Sequence, residues 1–247
     1  MKEHAVLILH TPAQIAAFAR AGEARGRRCL VIDQLRATST IVTALAHGAR
    51  RVLAVGTVEQ ARQIKSTRPG ILLAGERGGL PPEGFDLGNS PRAYTPERVA
   101  GKEIVLTTTN GTLALLACRG AAAIHPLSLL NLAAVAAHAA RNKEPLALLC
   151  AGTGEGYSLE DALVAGAGLV ALGLRDHPAA APFRAWVAGE SILSRTTNGR
   201  NLLRLGLRED IAFSSRRDAF PIVPEGRIGE VEGEGGPIPV VELTLPT

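Results

Sequence analysis

Four polar segments, each following a short apolar run, hold most of the residues that could do chemistry in this 247-residue chain. The first is Asp33-Gln34-Leu35-Arg36-Ala37-Thr38-Ser39-Thr40, between Val31-Ile32 and an apolar stretch of helical length. A carboxylate at a strand tip, as Asp33 would be, is a hard oxygen ligand suited to Mg²⁺. Arg36 suits a bidentate clamp on an oxyanion. Thr38 or Ser39 would add a hydroxyl where the N–H groups of a helix start also point at an anion. Helix capping alone accounts for Thr38, whereas Asp33 and Arg36 together point to function.

The second segment runs from Ala74 to Pro91, is rich in Gly and Pro, and carries Glu76, Arg77, Asp86 and Asn89. Long loops of this kind in compact domains are often functional. An ordered surface excursion accounts equally well for any one of these residues. The third, Thr107-Thr108-Thr109-Asn110-Gly111-Thr112, leaves a strand and enters a helix. Its hydroxyls, carboxamide and glycine predict an anion nest. The fourth, Cys150 to Asp161, combines Gly152, Gly154 and Gly156 with Glu155, Glu160 and Asp161. Asp161 has a structural duty as the capping-box partner of Ser158. Glu160 has none, which favours it as a metal or water ligand.

Several chemistries are disfavoured. The third glycine of a dinucleotide fingerprint would fall on Tyr157, and no lysine follows to make a P-loop. The 3 cysteines and 6 histidines lack zinc-ligand spacing. Cys29 and Cys118 stand in apolar runs, and no histidine is placed to activate Cys150. Of the histidines, only His125 sits at a strand end where a role would be expected.

The elements that must position these residues are legible as an alternation. Apolar runs at Ala5–Leu9, Cys29–Ile32, Val52–Val55, Ile71–Ala74, Ile104–Thr107, Ala121–Ile124 and Leu146–Cys150 predict buried strands. Helix-length stretches lie at Thr38–His47, Val58–Ser66, Thr112–Arg119 and Leu129–Arg141. Thr57 to Gln60 and Ser158 to Asp161 have capping-box spacing, and Pro96 suits a first helical turn. The pattern predicts an α/β fold, a largely parallel sheet with helices on both faces. Residues 1–175 would form this core, and residues 176–247 a smaller C-terminal α+β segment packed on it or forming a small subdomain. Within that segment, Glu225 to Pro237 reads as turns and Pro239 to Leu245 as an edge strand.

Composition bounds the function further. The chain is 46% hydrophobic, 20% charged and 3% aromatic, with Lys+Arg 27 against Asp+Glu 23. No basic block accompanies that mild excess, and few aromatics are available for base stacking, which disfavours nucleic acid. A small anionic substrate fits it. Unpaired cysteines, a start too short for a signal peptide and the lack of a membrane-length apolar run predict a cytoplasmic protein without a membrane partner. Assembly into a homo-oligomer is compatible with this reading.

The polar segments, taken together, resemble the 2-phosphosulfolactate phosphatase family. The matching stretches are Val31 to Thr40, Ala74 to Gly79, Gly84 to Pro91, Thr107 to Thr112 and Cys150 to Thr153. The likeness runs from about Arg28 to Val170, with Asn198-Gly199-Arg200 and Asp210-Ile211 as fainter echoes. Gln34 stands where the family usually has valine. The resemblance implies a Mg²⁺-dependent phosphatase converting 2-phospho-3-sulfolactate to 3-sulfolactate and phosphate, a step of coenzyme M biosynthesis. Asp33, Arg36 and Glu76 are then candidate catalytic residues, and Asp33, Asp86 and Glu160 candidate metal ligands. Arg77, Thr38, Ser39, Thr108, Thr109, Asn110, Gly111, Gly152 and Asn89 are candidates for substrate binding. Leu35 occupies the second aspartate position of the haloacid-dehalogenase pattern. Asp33 as metal ligand with an activated water is therefore preferred to a covalent aspartyl-phosphate. A non-catalytic anion binder and a phosphatase for another 2-phospho acid are the alternatives.

Overall fold

The computed structural model describes residues 6–185 and 190–246. In chain order the elements are β1 (Leu7–Leu9), α1 (Pro12–Arg20), β2 (Arg28–Ile32), α2 (Ala37–Ala46), β3 (Arg51–Ala54), α3 (Val58–Thr67) and β4 (Leu72–Gly75). They continue with α4 (Pro96–Val99), β5 (Glu103–Thr107), α5 (Gly111–Leu116), β6 (Ala123–Leu127), α6 (Leu132–Ala140), β7 (Leu146–Cys150) and α7 (Leu159–Ala171). Short helices α8 (Ala181–Ala185), α9 (Glu190–Leu193), α10 (Thr197–Arg204) and α11 (Arg208–Ser214) precede β8 (Glu225–Gly233) and β9 (Gly236–Thr244). Every expected strand and helix of the α/β core is present. Ala5, the start of the first expected run, lies outside the described residues.

One sheet of nine strands, in the order β1-β7-β2-β6-β8-β9-β3-β5-β4, carries the fold. The first four strands in that order run parallel to one another, and so do the last three. All residues of β2 and β7 are buried, and apart from Arg28 at the start of β2 they are apolar, as a parallel strand covered on both faces requires. Alternation sends Cys29 and Val31 to one face and Leu30 and Ile32 to the other. On the first face one core runs across the sheet, from Leu149 through Ile41 and Leu45 to Val241 and Leu243. The second face has two cores, one around Leu127, Leu148 and Val164 and one around Leu53, Ile64 and Val240.

The C-terminal strands correct two expectations. Glu225 to Gly233 is a strand, not a run of turns, and Gly236 to Thr244 lies inside the sheet rather than at its edge. Together they form an antiparallel hairpin that joins the two parallel halves. The glycines and glutamates of β8 have weak strand propensity alone, and cross-strand pairing overrides it. Pro237 and Pro239 are tolerated because β9 meets β3 only from Val241 to Leu243, so their missing N–H groups interrupt no bond to that strand. Helices α9, α10 and α11 contribute Leu193, Leu202 and Ile211 to the core beside α7, and this brings them next to the strand ends.

Candidate active site

The loops after β2, β4, β5 and β7 meet at the carboxyl ends of the parallel strands, where ligands collect in open α/β sheets. They and α10 surround a cavity of about 200 Å³. Asp33, Arg36, Glu76, Asn89, Thr109, Asn110 and Gly152 all line it. So do Asn198 and Asn201 of α10.

Asp33 directly follows β2 and remains 8% exposed, enough to face the cavity. Its Oδ1 accepts a hydrogen bond from the Ala37 N–H at the start of α2, 3.2 Å away. Burial nevertheless pushes this carboxyl up to about 7, and the charges of Glu76 and Glu160 push the same way. Gly111 makes the close approach of α5 feasible. A Cβ there would stand 2.5 Å from both Asp33 Oδ2 and Ala37 Cβ. Glu160 is fully buried, and neither of its carboxylate oxygens has a hydrogen-bond partner. A buried ionised carboxylate without donors is costly. Asp33 and Glu160 together are thus the groups best suited to hold a dication.

Arg36 is turned sideways. Its guanidinium donates to Asp210 Oδ2 at 2.6 Å and to Gly79 O at 2.8 Å. Asp210 also accepts from Ser90 Oγ at 2.7 Å, so this α11 side chain ties two loops to the cavity wall. Much of the Arg36 charge is therefore answered within the chain. Glu76 is likewise engaged: Oε1 accepts from Thr109 N and Oγ1, and Oε2 accepts from Gly79 N. It braces the second loop against the third.

The expected anion nest is turned inward. Thr108 and Thr112 exchange backbone-to-hydroxyl bonds at 3.1 Å, and Asn110 Nδ2 donates to the carbonyls of Ala151 and Gly154. Thr38 and Ser39 are fully buried, with their hydroxyls on the carbonyls of Asp33, Leu127 and Gln34. They hold the first loop and do not reach the cavity. Two further candidates lie elsewhere. Asp86 accepts from Leu73 N at 2.8 Å and pairs with Lys65 beside β4, outside the cavity lining. Arg77 donates to Glu76 O and Thr107 Oγ1 and is also outside that lining. Neither position suits the metal or substrate role expected of it.

Asp161 does more than cap. Ser158 Oγ accepts from Asp161 N, but the Asp161 carboxylate does not return the bond. It accepts instead from Gln34 N and Gly152 N, joining the first and fourth loops. Burial, Asp33 and Glu160 hold its carboxyl well above the usual carboxylate range. Gln34, the departure from the family pattern, is fully buried: Nε2 donates to Ser214 O, and Oε1 accepts from Leu129 N. It fastens α11 to the sheet and leaves the cavity to its neighbours. The cysteines are buried thiols; the side-chain hydrogen bond with Cys29 and then burial raise the Cys118 thiol above its ordinary value, and burial does the same to Cys150. His125 sits among Arg28 and Pro224 O, and its ring pKa falls to about 4, chiefly through burial.

The residues contributed by α10 and α11 were the least legible in sequence. Asn198 Nδ2 donates to Thr153 Oγ1 at 2.8 Å, which brings α10 over the fourth loop. The start of α10 packs against the end of α9 because Gly199 has no Cβ; one would lie 1.8 Å from Leu193 O. Only the Asn198-Gly199-Arg200 and Asp210-Ile211 echoes pointed there. Asn201 and its distance to the other loops had no sequence signal.

A cavity with buried acids in its floor and amides on its walls, at the carboxyl ends of a parallel sheet, is the arrangement of an α/β enzyme for a small polar substrate. The family model described as 2-phosphosulpholactate phosphatase matches residues 17–228. A probable 2-phosphosulfolactate phosphatase of Thermotoga petrophila is 44% identical over 204 residues, covering 80% of this chain and 88% of the relative. One of the same name from Symbiobacterium thermophilum is 40% identical over 223 residues, covering 85% and 96%. Another, from Deinococcus radiodurans, is 41% identical over 205 residues, covering 79% and 85%. The chain belongs to the 2-phosphosulfolactate phosphatase family, whose members are phosphoric monoester hydrolases.

Proposed function

We propose that this protein is a Mg²⁺-dependent phosphatase that hydrolyses 2-phospho-3-sulfolactate to 3-sulfolactate and phosphate. The observation that carries the metal is the pair Asp33 and Glu160, one facing the cavity and the other buried with both oxygens unpartnered. Among the described residues no three His, Cys, Asp or Glu side chains form a metal cage. Mg²⁺ commonly takes only one or two carboxylates and completes its shell with water and substrate oxygens. Asp33 and Glu160 would hold it, and when bound it would supply charge neutralisation to the phosphoryl oxygens.

The remaining work falls to the chain. Asp33, its carboxyl pushed up to about 7 chiefly by burial, titrates near neutrality, and a cation at this corner would favour its ionised form. The start of α2, whose Ala37 N–H already bonds that carboxylate, adds its positive end to the same corner. Arg36, held in place by Asp210 and Gly79, lines the cavity with a fixed guanidinium. Glu76 fixes Thr109 and Gly79 against each other so that the walls are preorganised before substrate arrives. No helix among the described residues is long and apolar enough to cross a membrane. Three free buried thiols suit a reducing cytoplasm, where the product would be available to coenzyme M biosynthesis.

Phosphate release from a panel of 2-phospho acids, with Mg²⁺ and with EDTA, tests this. The expected result is the highest kcat/KM for 2-phospho-3-sulfolactate, lost on chelation and restored by Mg²⁺. Turnover indifferent to chelation would remove the metal. Binding of sulfolactate with no turnover of any ester would leave an anion-binding protein.

A further inference from the structure

The proposed substrate carries three anionic groups, and the cavity has little positive charge left to receive them. Arg36 is paired with Asp210, and Arg77 points elsewhere. Thr108, Thr109 and Asn110 spend their donors on protein oxygens. The free donors are carboxamides. Asn201 makes no side-chain hydrogen bond among the described residues, although it lines the cavity. Asn89 also lines it, but its buried atom without a partner is Oδ1, an acceptor that offers no hydrogen to an anion. Asn198 has one N–H left beyond its bond to Thr153.

Asn198 and Asn201 lie three residues apart on α10 and therefore on one face of it. The helix is held over the loops. A Cβ on Gly79 would meet Leu205 Cδ1 at 2.7 Å and Asn201 Nδ2 at 3.5 Å, so the second loop packs directly against it. The acids Asp33 and Glu160 lie elsewhere, directly after β2 and at the start of α7.

We infer that Asn201, assisted by Asn198, recognises the sulfonate of the substrate and is the residue that makes the enzyme selective for a sulfonated acid. The phosphoryl group needs the cation and so occupies the Asp33 end. Asn198 and Asn201 line the same cavity as Asp33, so a second anionic group of the substrate can face them. A sulfonate has three oxygens, spreads its charge over them and does not protonate at physiological pH. Neutral N–H donors satisfy it without the desolvation cost of a buried cation. This assignment rests on the proposed phosphatase reading for the direction in which the substrate lies.

Two measurements on wild type, Asn201→Ala and Asn201→Asp decide it. The first is the ratio of kcat/KM for 2-phospho-3-sulfolactate to that for 2-phospholactate, which lacks only the sulfonate. The second is the ratio of calorimetric affinities for 3-sulfolactate and lactate, with Mg²⁺ present. Removing hydrogen bonds to a charged group should lower both ratios by about 10- to 100-fold in Asn201→Ala, and further in Asn201→Asp, where a like charge opposes the sulfonate. Thermal melting checks that both variants fold. Ratios unchanged by either substitution would overturn the assignment. A wild type that prefers sulfolactate through Asn201 but hydrolyses no ester would leave the assignment standing and overturn the phosphatase reading instead.

Discussion

The polar groups under the cavity all have partners, whereas a few of those at and beside it do not. Beneath it, Gln34, Thr38, Ser39, Thr108, Thr112 and Asp161 are buried, and each has partners within the chain. At the cavity, Asn89 Oδ1 is buried without a partner and the side chain of Asn201 bonds nothing among the described residues, and at the start of α7 both oxygens of Glu160 are buried without partners. Satisfied groups position the loops, and the unsatisfied ones at the cavity are the candidates to meet a ligand. In most proteins nearly all buried polar atoms are paired, so an unpaired cluster at the end of a parallel sheet marks where the chemistry belongs.

The strongest way to break the inward network is Asp210→Ala. It leaves Arg36 buried without its counter-charge, which should cost on the order of 3–5 kcal/mol by chemical denaturation. Pairing it with Arg36→Ala should recover part of the loss, because the orphaned charge is then gone. A single variant as stable as wild type would mean that water replaces Asp210.

Asp33→Asn tests the other side of the comparison. Catalysis should fall by on the order of 10²-fold or more, the scale of losing one preorganised electrostatic group. Stability without metal should move the opposite way. With a folded pKa of about 7 against an ordinary 3.8, Asp33 stabilises fully only below the lower value and loses that contribution as pH rises through the higher one. His125 opposes this. Its folded pKa of about 4 lies below 6.5, so its contribution is present above 6.5 and is lost as pH falls through 4. The readout is therefore the difference in Tm between variant and wild type. It should grow in favour of Asp33→Asn from pH 4 to pH 8 and shrink on adding Mg²⁺. A difference independent of pH would show that Asp33 titrates normally.

The smallest effect belongs to a region outside the comparison. Thr57 and Gln60 form a reciprocal capping box at the start of α3, away from the cavity lining. Thr57→Ala should cost about 1 kcal/mol and lower Tm by roughly 2–4 °C. Its kcat/KM should match wild type; a loss of activity would couple α3 to the site.

Local patterns carried much of this. Apolar runs placed β2 and β7 correctly because a strand buried on both faces has no other composition available. The capping boxes differ instructively: Thr57 with Gln60 closes on itself as its spacing predicts, while Asp161 is drawn away by Gln34 and Gly152. The four polar segments do converge, and Asp33, Arg36, Glu76, Asn89, Thr109, Asn110 and Gly152 reach one cavity. Direction was not legible. Residue type says that Thr108 or Asn110 can donate, but only the fold says to which atom.

What the sequence determined by itself was the alternation of elements, the loops at the carboxyl ends and the family, because each depends on short spacings along the chain. The tertiary structure alone decided three things. It set β8 and β9 in the middle of the sheet, paired Arg36 with Asp210 across the chain, and laid Asn198 and Asn201 over the loops. Each is a contact between residues far apart in sequence, whose energy comes from burial and pairing that no local pattern encodes.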